Sequence, residues 1–353
     1  MRVFINGRFL TQRATGVHRF AFEMCKALHR IGFEFTVVAP PKVLESYDVT
    51  FPIVTYGHTS SHFWEQVELP CFLRKNGNPF LISFSGLGPI FYKRHIATIH
   101  DIAFLVNPAW YKKKYYVFYK FMTAPLARNA YGIITVSNFS KHELIEQYHL
   151  PDDKIRVIYN AVSSDFTANN KTSGGKDNTP YILAVSSMDP RKNFPRLISA
   201  FVKMNDNSRK LYIIGGVSPS FNNIEMPDYS KEHIKFLGYV SNEKLVEYYR
   251  NADLFVYPSL YEGFGIPPIE ALSQNCPVLV SDIDVFHEVC DNAAFYCNPY
   301  SVDSICESMK YILSHPSEVS DKIKKAGDIL ERYGWDKSAK NLVEWFNLKT
   351  NQL

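Results

Sequence analysis

The stretch SLYEGFGIPPIEALSQNCPVLVSD, residues 259–282, sets Glu262 and Glu270 on either side of Gly-Phe-Gly-Ile-Pro-Pro. Two carboxylates so placed offer two chemistries. They can act as an acid/base couple across a bond, or as two grips on a polar ligand lying over the turn. Gly263 and Gly265 allow a close approach, and Pro267-Pro268 suit the first turn of a helix running through IEALSQN. The amides from Phe264 to Ile266 then stand free at a helix N-terminus, where anions such as phosphate bind. A plainer reading has Glu270 complementing the helix dipole and Glu262 in solvent, and spacing alone does not separate the two.

A second stretch, SSMDPRKN (186–193), follows a strand and presents Arg191 and Lys192 at the turn into the helix FPRLISAFV. An adjacent fork and point charge suit a diphosphate, although exposed Arg-Lys pairs are commonly just solvated. Gly16, in ATGVHRFAFEMCKAL, opens a helix after the first strand and lets a phosphate near the backbone. His100-Asp101 also ends a strand, either as a functional group or as a loop anchor. No GxGxxG follows a strand, and GxxxxGK[ST], HExxH and GxSxG are absent, which disfavours dinucleotide, P-loop, zinc-protease and serine-hydrolase readings.

These residues need a scaffold that presents strand ends. Apolar runs alternate with helix-length amphipathic segments: RVFIN, FEFTVVA, FLISFS, IATIHD, GIITVS and KIRVIYN, then YILAVS, LYIIGG, IKFLG, LFVYPS and PVLVSD. That alternation predicts an α/β fold of two Rossmann-like lobes facing across a cleft, with ligands beyond the carboxyl ends of the strands. The expected divisions are 1–165, a polar linker over 166–180, 181–335, and a final helix over 336–353 that packs back on the first lobe. At 353 residues the chain is long enough for two cores. No apolar run reaches the length of a membrane span, and MRVFING reads as a buried strand rather than an export signal. Six cysteines without CxxC spacing read as buried, reduced thiols. Residues 1–165 carry 19 Lys+Arg against 12 Asp+Glu (+7), and residues 166–353 carry 20 against 23 (−3), so the basic front half points to an anionic partner or surface.

IYNAVSSDF, AVSSMDPRKNFPRLISAF, FLGYVSNEKLVEYYRNADLFVYPSLYEGFGIPPIEALSQNCPVLVSD and HEVCDNAAFYCNP together resemble the donor lobe of glycosyltransferase family 4. NGRFLTQRATGVHRF, TIHDIAF and TVSNFSKHEL are similar to that family's first lobe. The resemblance implies a GT-B fold and a retaining enzyme using a nucleotide sugar as substrate, with no cofactor and no required metal. It implies that Glu262 meets hydroxyls of the donor sugar, that amides of Phe264 and Gly265 hold sugar and phosphate, and that Gly263 lies with them in the donor site. Glu270 is implied to bind the ribose, Lys192 to neutralise the diphosphate, and the amides of Gly238, Tyr239 and Val240 to meet the base. His100 is implied to lie near the transferred sugar and Gly16 near the diphosphate. Many members carry Gly-Arg where this chain has Ser186-Ser187, so Arg191 is the candidate replacement for the missing cation. Ala161 stands where the family often has glycine.

General similarity to bacterial surface-polysaccharide mannosyltransferases points to GDP-mannose and to a glycan or lipid-linked oligosaccharide acceptor. The expected location is cytoplasmic, at the inner face of the plasma membrane. A nucleotide-sugar epimerase and an inactive sugar-nucleotide binding module are the alternatives. Residues 91–131 hold seven Lys or Arg and one acid, Asp101, interleaved with aromatics. Such a stretch suits an anionic membrane surface, or else a core-packed helix with a solvated lysine face; no nucleic-acid motif accompanies it.

Overall fold

The computed structural model describes residues 2–12, 15–167, 179–216 and 232–351. The chain divides into two units, residues 1–160 with 334–353, and residues 161–333. The first therefore ends five residues before the expected 165, because the helix Ser164–Thr167 is tied to the second unit. Its Asp165 accepts from Asn242 at 2.7 Å and the Phe166 carbonyl accepts from Gln274. Of the expected linker, residues 168–178 lie outside the described residues.

The first unit contains strands β1 (Val3–Asn6), β2 (Thr36–Ala39), β3 (Ile53–Thr55), β4 (Phe80–Ser83), β5 (His95–Thr98), β6 (Gly132–Thr135) and β7 (Ile155–Val157). They form one parallel sheet in the order β3-β2-β1-β4-β5-β6-β7. The second unit contains β8 (Tyr181–Val185), β9 (Lys210–Ile214), β10 (Ile234–Gly238), β11 (Leu254–Tyr257), β12 (Val278–Ser281) and β13 (Phe295–Cys297), parallel in the order β10-β9-β8-β11-β12-β13. Central strands such as β1, β4, β6, β8 and β11 are buried along their whole length, as parallel strands covered on both faces must be. All eleven apolar runs expected to be strands are strands. The two not anticipated, β3 and β13, are three-residue edge strands too short for periodicity to reveal.

In each sheet the order reverses once, between β1 and β4 in the first and between β8 and β11 in the second. At such a point the loops leaving adjacent strands diverge and leave room for a ligand. The helix Trp335–Thr350 belongs to the first unit. Its Phe346 meets Phe33 and Phe80 edge-on, Ser338 donates to the Tyr159 carbonyl at 2.8 Å, and Asp336 pairs with Arg30. A side chain at Gly132 would collide with the Trp345 ring, so that strand position admits the helix only as glycine.

Candidate functional site

The second sheet's reversal point carries the pair singled out from the sequence. After β8 the chain turns through Asp189, whose carboxylate accepts from the Arg191 amide at 3.1 Å and sets a short 3-10 turn over Pro190–Lys192. After β11 it passes Pro258-Ser259 into Glu262. The two loops are stitched by the Leu260 amide, which donates to the Arg191 carbonyl at 2.7 Å. Lys192 is buried; its Nζ donates to Tyr257 Oη at 2.8 Å and forms a short ion pair with Glu262 Oε1. Arg191 reaches the other oxygen of the same carboxylate at 3.3 Å and lies 3.7 Å from Asp189. One buried carboxylate thus holds two cations side by side.

Electrostatics follow from that arrangement. Burial alone would raise the Glu262 carboxyl, but Lys192 and Arg191 outweigh it and hold it below the usual glutamate range. Burial pushes the Lys192 ammonium below its ordinary value, against the pull of Glu262. Burial, reinforced by the charge of Glu262, raises the Tyr257 phenol well above its ordinary value. A carboxylate so stabilised as an anion is a poor proton acceptor. The acid/base reading of the two glutamates loses ground accordingly, and so does the reading of Glu262 as merely solvated.

Glu270 stands in a different environment. It is buried on the helix Ile266–Ser273 and accepts from Tyr249 Oη at 3.2 Å. Gly265 caps that helix at φ 89°, and a Cβ there would come within 2.6 Å of the Phe286 ring, so both backbone and space demand glycine. Phe264 is buried edge-on against Tyr333. Gly215 is equally constrained: at φ 141° a side chain would strike the Ser186 carbonyl, so the strand end is pressed against Ser186-Ser187. Ser187 itself is exposed, and the second cation beside Lys192 is Arg191. At the end of β10 the Gly238 carbonyl accepts from the Gly215 amide at 2.8 Å, Tyr239 is 85 % exposed, and Val240 is partly buried.

His100 and Gly16 lie in the first unit. His100 Nε2 is 2.9 Å from the Phe84 carbonyl, which can only accept, so Nε2 carries the proton. Burial keeps this imidazole below its ordinary value despite the Phe84 bond and Asp101, and it is neutral at pH 7. Asp101 is a loop anchor, accepting from the Ala103 amide at 3.0 Å. Gly16 is exposed as the first residue of the helix Gly16–Arg30. Among the described residues no group of three or more His, Cys, Asp or Glu is placed to hold a metal ion.

Several positioning residues escaped the sequence reading. Asn193 adopts a left-handed conformation (φ 62°), and its Nδ2 donates to the Pro258 carbonyl at 3.0 Å and the Pro299 carbonyl at 2.7 Å. Its Oδ1 accepts from Arg196 at 2.8 Å, so one side chain fastens three loops directly after Lys192. The only sequence signal was an asparagine, tolerant of left-handed backbone, just before a helix start. Tyr257 and Tyr249 read simply as strand and helix apolar positions. In the first unit, Glu65 is wholly buried where β1 and β4 diverge. It pairs with Arg8 at 3.0 Å and His62 at 3.1 Å and accepts from Asn6 at 3.0 Å; Asn6 also donates to Ser83 at 3.2 Å. A glutamate inside an apolar-looking segment gave no warning of this.

Residues 165–329 match the family described as glycosyl transferases group 1, and residues 14–166 match glycosyltransferase family 4. The O-antigen chain mannosyltransferase RfbU of Salmonella typhimurium is 30% identical over 331 residues, covering 91% of this chain and 89% of that protein. The O-antigen chain mannosyltransferase B of Escherichia coli is 31% identical over 236 residues, 62% of each. Among solved structures, sucrose-phosphate synthase from Thermosynechococcus elongatus superposes with a TM-score of 0.76 at 16% identity over 99% of both chains. HepE of Anabaena, in complex with UDP and glucose, gives 0.72 at 16% identity over 98% of both. The fold is GT-B, as expected.

Two outcomes test this geometry. Lys192→Met strands Glu262 beside Arg191 alone and should cost about 3–5 kcal/mol of stability. Most of that should return in Lys192→Met/Glu262→Gln, as read by denaturant unfolding, without return of activity. Asn193→Ala should lower kcat/KM for the donor about 10–100-fold, from lost hydrogen bonds and a left-handed alanine of about 1–2 kcal/mol. Asn193→Gly, which relieves only the backbone, should recover part of it.

Proposed function

The chain belongs to the glycosyltransferases of family 4, and from that premise we propose that it transfers mannose from GDP-mannose, with retention, to a glycan acceptor in surface-polysaccharide synthesis. The acceptor is lipid-linked. The observation that carries the site assignment is the buried Lys192–Glu262–Arg191 node at the second sheet's reversal point. The mannose and O-antigen parts of the reading are supported by the names of two relatives. Nothing in the comparisons favours the epimerase alternative, and the intact node speaks against an inactive binding module.

Lys192 and Arg191 face the diphosphate, Glu262 engages the sugar's hydroxyls, and Glu270 takes the ribose. Amides of Gly263, Phe264 and Gly265 lie along the sugar and phosphate, and those of Gly238, Tyr239 and Val240 meet the base. For His100 and Gly16, which lie in the first unit, only the resemblance speaks. In the reaction the bond from the sugar's anomeric carbon to the phosphate oxygen breaks, and a bond from that carbon to the acceptor oxygen forms on the same face. The acceptor's proton passes to the departing phosphate oxygen. Negative charge grows on the leaving group, where two fixed cations and helix-terminal amides stabilise it without reorganising. These groups serve in place of a divalent ion, so no metal is required. The enzyme works in the cytoplasm at the inner face of the plasma membrane.

The test is donor consumption and product structure with GDP-mannose, UDP-glucose and TDP-sugars, each with and without a lipid-linked oligosaccharide acceptor. The expected result is acceptor-dependent turnover of GDP-mannose, an α-linked product by NMR, and activity unaffected by EDTA. Preferred turnover of another donor overturns the mannose assignment. A β-linked product overturns retention, and an epimerised sugar nucleotide formed without acceptor overturns transfer.

A further inference from the structure

The helix Lys113–Asn129 resolves the two readings left open for the basic, aromatic stretch. Tyr116, Phe118, Tyr119 and Met122 pack against a core cluster that includes Ile90, Ile99, Leu126 and Ile133, so most of the aromatics are structural. The opposite side is another matter. At about 100° per residue, Lys113, Lys114, Val117, Lys120, Phe121 and Arg128 fall within one arc of roughly a third of the helix circumference, and each of them is exposed. Phe121 is 71 % exposed and Val117 39 % exposed.

The arc carries four cations, the whole helix has no acid, and none of Lys113, Lys114 and Lys120 has an ion-pair partner among the described residues. Lys120 instead donates to the hydroxyl of Tyr116 at 3.0 Å. Another large apolar side chain, Phe91, is 80 % exposed next to Ile90 of the same core cluster, and exposed Lys93 and Arg94 follow it. Phenylalanines standing in solvent among unpaired lysines are costly on a free surface. They are favourable at a bilayer interface, where the rings enter the acyl boundary and lysine stems reach back to headgroups. Among the described residues no helix is long and apolar enough to cross a membrane.

We propose that this arc of the helix Lys113–Asn129, with Phe121 as its apolar anchor, docks the protein on an anionic lipid bilayer. Charge complementarity selects the occupant: a cationic arc without acids fits a surface of phosphate headgroups. A second copy meeting it across a two-fold axis would present the same positive arc and repel it. The inference stands on this surface alone, and an error in the donor or acceptor assigned above would leave it unchanged.

The experiment is flotation of the full-length protein with phosphatidylcholine vesicles, with and without about a third phosphatidylglycerol, at low and high salt. Binding should require the anionic lipid and fall with salt. Each lysine near the surface contributes roughly fivefold to partitioning, so Lys113→Ala/Lys114→Ala/Lys120→Ala should weaken binding about 100-fold. Phe121→Ser should weaken it about tenfold or more. Both variants should keep the parent's melting temperature and GDP affinity. Absence of binding to the anionic vesicles overturns the proposal, as does binding indifferent to these substitutions. Concentration-dependent dimerisation abolished by Phe121→Ser would assign the face to a second copy instead.

Discussion

A buried carboxylate cannot stay charged without partners, and that constraint organises the second unit. Glu262 is inside the protein, and burial would neutralise it were Lys192 and Arg191 not both within reach. To supply them, the loop after β8 must meet the loop after β11. Parallel pairing of those two strands places the loops side by side, the Leu260 amide joins them, and Asn193 fastens the result to Pro299 beyond β13. The outcome is a pair of cations whose positions are fixed before any ligand arrives. Electrostatic stabilisation of a departing diphosphate depends on such prior ordering, since flexible lysines would lose their benefit in reorganisation.

The first unit repeats the theme with different residues. Where β1 and β4 diverge, Glu65 is held anionic by His62 and Arg8 together with Asn6, although burial opposes it. Each reversal point therefore contains one buried glutamate clasped by basic side chains, as expected where loops part and polar groups collect. The two halves of the sequence differ in net charge. The excess of +7 over residues 1–165 is concentrated in part on the helix Lys113–Asn129, while residues 166–353 carry −3.

Much of this was legible in the sequence because parallel strands buried on both faces must be continuous apolar runs, and eleven of them stood out. The candidate site stood out where side chains are rarely placed without cause: Arg191-Lys192 after a strand, and Glu262 beside Gly263 and Gly265. The structure brings the two cations into contact with Glu262. What escaped was whatever depends on a contact distant in sequence. Tyr257 is an ordinary β11 residue until Lys192 reaches it, and Asn193 is an ordinary helix-start residue until Pro258 and Pro299 converge on it. The 91–131 stretch was ambiguous for the same reason. Its composition does not tell which aromatics face the core, and only the arc of exposed residues separates Phe121 from Phe118.

The central claim is that the Lys192–Glu262–Arg191 node receives the diphosphate of the donor. Titration calorimetry with GDP and GMP addresses it most directly, using the parent protein and the stability-matched Lys192→Met/Glu262→Gln variant. The account predicts that the variant loses the extra affinity of GDP over GMP, about tenfold or more for a buried charge-assisted contact, while GMP binds both proteins alike. Equal preference for GDP over GMP in the two proteins would contradict it.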